Sequence, residues 1–238
     1  RERLVSILTD RAYPTALRRE ALRTLVRVSE GAAQVIELAR SSKLPDDLKT
    51  EATTALLALG DPRLREAAAA VLPPPATANG RPLPPLAELL RREGNADHGR
   101  AVFFQGTAQS CGSCHRVQGR GQWVGPDLST IGTKLGKDQL LHSILNPSAA
   151  ISYNFRTVVL ALSDGRILTG LLVEDSPQRI VVKTADGERL AASPRDVEER
   201  RFADVSLMPE NLASTMTDQD LVDLLAYLST LREPVSVV

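Results

Sequence analysis

Two cysteines and a histidine lie within one short segment, Cys111-Gly112-Ser113-Cys114-His115. This C-x-x-C-H spacing is the pattern of c-type haem attachment: both sulfurs bond covalently to the porphyrin edge, and the histidine supplies an axial nitrogen to the iron. A two-residue gap lets one helical turn span the two bonds. The chain has only these 2 cysteines, so none is left for a disulfide. The motif predicts one covalent haem, whose iron determines the chemistry.

Two other uses of a C-x-x-C pair fit the surrounding sequence less well. A thioredoxin-like pair follows a strand in a βαβ unit, whereas Cys111 lies between a predicted helix and a glycine-rich loop. A zinc site needs two more ligands at a suitable spacing. His98 and His142 are the other two histidines, and they form no recognisable pair.

The composition excludes some classes of function. The 238 residues carry a formal net charge of +0 and only 3% aromatic residues, which argues against nucleic acid or an anionic membrane surface as a partner. No run of about 18 apolar residues occurs, so the sequence predicts no membrane span. The chain begins Arg1-Glu2-Arg3, and we expect it to be a piece of a longer protein.

The first part of the chain carries a repeated helical pattern with an offset of 31 residues. The matching positions are Pro14 with Pro45, Leu17 with Leu48, Glu20 with Glu51, Leu25 with Leu56 and Val28 with Leu59. Each segment is followed by a predicted break, at Glu30-Gly31 and at Gly60-Asp61-Pro62, and then by another apolar helix. The pattern resembles short HEAT-like repeats. An ordinary helical bundle is the alternative.

Three further regions follow. Prolines make residues 73–85 a semi-rigid, extended linker. From Phe155 to about Phe202 the pattern changes to four short strands with turns about ten residues apart, typical of a small antiparallel sheet or barrel. The last segment, Thr217 to Leu231, is an apolar-faced helix with Thr217 as N-cap and Asp220 three residues later.

The order of these motifs resembles that of class I cytochromes c, and more closely the haem-binding domain of Pirellula- and Verrucomicrobium-type proteins. The similarity covers roughly residues 95–232. The segments that carry it are Gly99 to Phe103, Cys111 to His115, Gly125-Pro126-Asp127-Leu128, Ser143 to Ser148, Asp164-Gly165-Arg166, Ser206-Leu207-Met208-Pro209 and Leu225 to Leu228.

The resemblance and the sequence together predict a mainly α fold, in which HEAT-like repeats precede a class I cytochrome c-like helical domain with a small antiparallel β insertion. The predicted regions are 1–72 for the repeats, 73–85 for the linker, 86–152 for the first cytochrome part, 153–202 for the inserted β subdomain and 203–238 for the last cytochrome part.

The resemblance implies a role for Pro126, and the residue types themselves suggest roles for others around the motif. The carbonyl of Pro126 would accept a hydrogen bond from His115, which fixes the imidazole tautomer. Phe103 would meet Tyr227 where two helices cross and so close the haem pocket. Trp123 and Arg120 would bond the haem propionates, although a plain surface-loop role is equally consistent with them.

The sixth iron ligand is chosen from few residues, because the chain has 2 methionines. Met216 precedes the Thr217 cap, where a hydrophobic staple to Leu221 belongs. Met208 precedes Pro209 in a segment without strong periodicity, and Met-Pro is the usual context of the axial methionine in class I cytochromes. We therefore expect Met208 to be the ligand, with Met216, a histidine or an open position as alternatives.

These expectations lead to three functions. The first is an electron-transfer module with one His/Met-ligated haem c, which passes electrons from a partner protein or from a dehydrogenase domain of the same longer chain. The second is a haem enzyme or gas sensor with an open or displaceable sixth position. The third is a scaffold built on the repeats. The sequence leaves catalysis undecided, and the resemblance implies a periplasmic or otherwise extracytoplasmic location.

Overall fold

The computed structural model describes residues 1–72, 74–105, 110–210 and 212–232. Its helices are α1 (Glu2–Thr9), α2 (Thr15–Val26), α3 (Ser29–Arg40), α4 (Lys49–Leu57), α5 (Pro62–Ala69), α6 (Leu86–Arg91), α7 (Ala96–Phe103), α8 (Ile131–Lys134), α9 (Lys137–Leu145) and α10 (Asp218–Thr230). Its strands are β1 (Arg116–Val117), β2 (Arg120–Gly121), β3 (Thr157–Leu162), β4 (Ile167–Asp175), β5 (Ile180–Lys183), β6 (Arg189–Ala192) and β7 (Val197–Ala203).

The architecture is mixed α/β, with 46% helix and 16% strand, so the prediction of a mainly α fold is wrong. Five strands form an open antiparallel sheet in the order β6-β5-β4-β3-β7, and β1 pairs with β2. Three strands, β1, β2 and β7, lacked a strand signal in the sequence. Four adjacent charged residues occupy the middle of β7, which is held by its backbone pairing with β3. The glycines around β1 and β2 indicated only a loop.

The helices of the first part pack around one hydrophobic core. Helix α2 pairs with α3 and α4 pairs with α5, and apolar residues from Leu8 to Leu72 fill the space between them. The predicted break at Glu30-Gly31 is wrong, because α3 already begins at Ser29. The repeat is also not strict, since Leu48 is fully buried while Leu17 is exposed.

The proline-rich segment turns back on itself instead of running straight. Pro73 lies outside the described residues. Ala76 and Pro82 form an isolated antiparallel bridge, and Gly80 adopts a positive φ of 73° at the turn between them. The Ala78 N–H donates to the Met216 carbonyl at 2.9 Å. The segment is therefore packed against the second half of the chain.

The five-stranded sheet has a hydrophobic core of its own. Its buried residues are Val158, Leu160, Leu162, Leu168, Ile180, Val182 and Ala192. Alternate residues of β3 point to this core, as the period of a half-buried strand requires. The sheet is thus a packed structural unit, inserted between α9 and α10.

A third core joins the elements around the cysteine motif. Helix α7 crosses α10, and α9 packs against α10 as well. The Thr217 hydroxyl accepts from the Asp220 N–H at 3.0 Å, and the Asp220 carboxylate accepts from the Thr217 N–H at 2.9 Å. The predicted capping of α10 is confirmed. Within the described ranges, no helix is long and apolar enough to cross a membrane.

Asp223 on α10 ties the two crossing helices together. Its buried carboxylate accepts hydrogen bonds at 2.8 Å from the Asn95 N–H, the His98 ring Nδ1 and the Gln219 side-chain amide. Burial raises the pKa of Asp223, but the three hydrogen bonds outweigh it and the net pKa is lowered. A carboxyl group of this kind stabilises the fold when it is ionised.

We expect Asp223→Asn to lower the free energy of unfolding at neutral pH by about 1–3 kcal/mol. The pKa of Asp223 is lower in the folded state than in the unfolded state, where it is about 4. The ionised carboxylate therefore stabilises the native chain fully above that pH, and this stabilisation is lost as the pH falls below it. Urea unfolding of the native and Asp223→Asn chains at neutral pH and at about pH 3.5 measures the difference between their free energies of unfolding, which should be smaller at the lower pH. Asp97→Asn, at an exposed position of α7, is the control. An equal loss at both pH values would contradict the assignment.

Candidate functional site

The cysteine motif forms one tight turn. Residues Cys111–Ser113 are a 3₁₀ helix, and the N–H groups of Cys114 and His115 both donate to the Cys111 carbonyl, at 3.1 and 2.8 Å. Side chains three residues apart lie above one another in this geometry. The turn therefore separates Cys111 and Cys114 by a single 3₁₀ turn.

The two cysteines have different surroundings. Cys111 packs against the third core, and burial raises the pKa of its thiol to about 11. At neutral pH this pKa keeps the Cys111 thiol protonated. The Cys114 sulfur lies 3.8 Å from the Ala185 carbonyl, in the turn between β5 and β6.

The His115 ring is held by a backbone carbonyl. Its Nδ1 lies 2.9 Å from the Pro126 oxygen, and because a carbonyl only accepts, Nδ1 carries the proton. The Nε2 atom then keeps a lone pair, which is the form that ligates iron. Burial lowers the pKa of His115, and the hydrogen bond to Pro126 opposes this effect.

The loop after the motif is shaped to meet the histidine. The β1–β2 hairpin reverses the chain, and the N–H groups of Val124 and Gly125 both donate to the Cys114 carbonyl, at 3.0 and 2.8 Å. A Cβ atom at Gly125 would lie 2.6 Å from His115 Cε1. Only glycine therefore leaves room for the imidazole in this position.

Aromatic side chains line the interior beside the motif. The ring centroids of Phe103 and Tyr227 are 5.7 Å apart, in an edge-to-face arrangement, at the crossing of α7 and α10. Phe104 contacts Phe103 at 4.8 Å. Burial raises the pKa of Tyr227, which keeps its phenol neutral.

Trp123 and Arg120, the predicted propionate ligands, lie on the exposed side of the loop and have other contacts. The Arg120 guanidinium stacks over the Phe104 ring at 4.2 Å, and that of Arg116 lies 5.1 Å from the Trp123 ring. Trp123 is 61% exposed. Its carbonyl accepts a hydrogen bond from Lys183 Nζ of β5, so the inserted sheet contacts the motif loop here as well as at Cys114.

The two methionines differ in burial. Met216 is buried in the third core together with Leu221, as the staple requires. Met208 is only half-buried and packs at the edge of the same core as Cys111. Met208 is therefore the methionine with a side chain that is not already enclosed.

The remaining histidines have structural or exposed positions. His98 bonds Asp223, as described above, and His142 is exposed on α9. Within residues 1–72, 74–105, 110–210 and 212–232, no three His, Cys, Asp or Glu side chains converge as potential ligands of a metal ion.

The residues at the motif fit a covalently attached haem with a histidine ligand. Two cysteines share one turn, a neutral imidazole is oriented by Pro126, and Gly125 keeps the ring unobstructed. No family model and no curated protein sequence matches the chain.

Sequence reasoning missed the residues that connect this site to the rest of the molecule. Lys183 and Ala185 contact the motif loop from 60 and 71 residues away, and nothing in their local sequence marks them. The sequence around Gly125 predicts only a loop. One sequence signal for its role exists: Gly125 precedes the proline that is expected to orient His115, and a glycine there lets the backbone approach the imidazole closely.

Proposed function

We propose that this chain is an electron-transfer module that carries one covalent haem c, with His115 and Met208 as axial ligands. The observation that carries the proposal is the orientation of His115, whose Nδ1 is committed to Pro126 so that Nε2 keeps its lone pair. When bound, the haem iron supplies reversible one-electron oxidation and reduction.

Different residues of the chain would attach the haem, ligate its iron and exclude water from it. Cys111 and Cys114 would anchor the cofactor through their sulfurs, His115 would hold one axial position and Met208 the other. Phe103 and Tyr227 would exclude water from one side of the site. Arg120 and Trp123, on the exposed side, would be available to the cofactor's carboxylates only if they leave their contacts with Phe104 and Arg116.

The partner and the location are part of the same proposal. A closed, six-coordinate site has no position for a substrate, so its electrons come from and go to other redox centres. The sequence resemblance favours a dehydrogenase domain of the same longer chain or a separate redox protein, in a periplasmic or otherwise extracytoplasmic compartment.

Covalent attachment tests the proposal directly. We expect the full chain, expressed with a c-type maturation system, to gain the mass of one haem. The haem should stay attached when the protein is denatured, because it is covalently bound. Cys111→Ala combined with Cys114→Ala should remove this gain completely, because no sulfur is left for a bond. Intact mass spectrometry and haem staining of denaturing gels measure it.

Ser113→Ala is the matched control, since it lies between the two cysteines at a position that supplies no ligand. It should retain the full mass gain. A native chain that stays haem-free, in cells that mature a reference cytochrome, would refute the proposal. Haem that persists in the double cysteine variant after denaturation would do the same.

A further inference from the structure

The backbone segment that leads to Met208 is held by a series of hydrogen bonds. The Met208 N–H donates to Ser206 Oγ at 3.1 Å, and the Ser206 N–H donates to Ser148 Oγ at 3.1 Å. Ser148 is only 3% exposed and follows α9 in the chain. The buried Ser148 therefore holds Ser206, and Ser206 in turn holds the backbone of Met208.

Arg19 of α2 extends this series into the helical repeats. Its Nη1 donates to the Ser148 carbonyl at 2.8 Å and also to the Asp204 carbonyl. Ser148 precedes the five-stranded sheet and Asp204 follows it, so one guanidinium joins the two ends of the inserted segment. The Arg19 side chain is 9% exposed, and hydrogen bonds shielded from water in this way are strengthened.

The guanidinium of Arg19 lies beside the carboxylate of Glu51 on α4. Arg19 Nε and Glu51 Oε2 are an ion pair at 3.3 Å without a hydrogen bond, whereas Arg23 Nε donates a hydrogen bond to Glu51 Oε1 at 2.7 Å. Arg23 also donates to the Ala149 carbonyl. Glu51 is buried between the two arginines, so removing either cation would leave less positive charge to compensate the buried carboxylate. The packing of α2 on α4 thus places the Arg19 guanidinium beside a buried negative charge.

We infer that Arg19 is a positioning residue for Met208, through which the helical repeats determine how firmly the segment of residues 204–208 holds its thioether at the sixth position of the iron. The inference rests on the proposed function, since it takes Met208 as the sixth ligand. An external ligand replaces Met208 more easily when the segment of residues 204–208 can move away with the thioether. The tethers through Ser148 and Asp204 oppose that movement.

The test measures imidazole binding to the ferric, haem-loaded full chain, together with the far-red methionine-to-iron charge-transfer band. Arg19→Met keeps the apolar length of the side chain and removes its donors. We expect imidazole affinity to rise at least about tenfold, because hydrogen bonds from charged donors are worth more than neutral ones. Ser148→Ala removes one neutral acceptor and should act in the same direction, but less.

Arg18→Met is the matched control. Arg18 lies on the same helix, is similarly buried and donates hydrogen bonds to Asp47 and Thr15. Among the described residues, no hydrogen bond or ion pair joins it to the segment of residues 204–208. Its imidazole affinity should stay within about twofold of the native value, because its bonds do not reach that segment. A similar rise in Arg18→Met would show general loosening and overturn the inference. Native-like affinity in a folded Arg19→Met protein would also overturn it.

Three further outcomes keep the inference separate from the proposed function. If Arg19→Met does not fold, Ser148→Ala decides, and an unchanged affinity in that variant overturns the inference. If Met208→Ala leaves the native spectrum and affinity unchanged, Met208 is not the ligand, and the ligand assignment fails together with the inference. If Met208→Ala acts but Arg19→Met does not, only the inference fails.

Discussion

Gly99→Ala is expected to lower the free energy of unfolding of the haem-site core by about 3 kcal/mol or more, at the upper end of the cost of overpacking. A Cβ atom at Gly99 would lie 1.9 Å from the Asp223 carbonyl oxygen, where α7 crosses α10. The obstacle is backbone, so it cannot rotate away as a flexible side chain would. Alanine gains about 1 kcal/mol in helix propensity over glycine, but the overlap is larger.

The measurement is thermal and urea unfolding of the native and variant chains. A loss of this size lowers Tm by about 6–12 °C in a protein of this length. Gly60→Ala is the matched control, because a Cβ atom there meets no atom within 4 Å. We expect its Tm to stay within about 2 °C of the native value. An unchanged Tm in Gly99→Ala would mean that the two helices are further apart than the structure has them.

Elements with strong local signals were predicted from the sequence. Helix α9 has the predicted bounds Lys137–Leu145, because its apolar period ends at Asn146-Pro147, where a helix cannot continue. The start of α10 was predicted because Thr217 and Asp220 satisfy each other's backbone within four residues. Such signals depend on neighbouring residues only.

Elements stabilised by distant parts of the chain were not predicted. Strand β7 is charged along most of its length and exists because β3 offers it a hydrogen-bonding edge. The turn at Gly80 was interpreted as part of an extended linker, since its contact with Met216 lies far along the sequence. Strand β7 thus adds a fifth strand to the four that the sequence predicted.

The candidate site also contains residues that the sequence predicts and residues that only tertiary contacts reveal. The cysteine motif is visible because its spacing is local, and Pro126 follows from the resemblance to class I cytochromes. Arg19 bonds Ser148 from 129 residues away, and no pattern in α2 distinguishes it from Arg18. Two adjacent buried arginines on one helix therefore take different roles, which only their tertiary contacts reveal.

Met208→Ala is expected to abolish the far-red charge-transfer band of the ferric haem protein completely and to let the reduced protein bind carbon monoxide. The thioether of Met208 is the one methionine side chain that the core does not enclose. Its loss leaves the sixth position open, and the midpoint potential should fall because methionine ligation raises it. Visible spectra and redox titration measure the two effects.

Met216→Leu is the matched control, because it conserves volume in the buried core. It should keep the band and exclude carbon monoxide. If Met208→Ala keeps the native spectrum, the sixth ligand lies elsewhere. If the native protein already binds carbon monoxide, the position is open or displaceable, and the haem enzyme or gas sensor becomes the better function. The electron-transfer proposal therefore depends on Met208 closing a site that His115 alone would leave reactive.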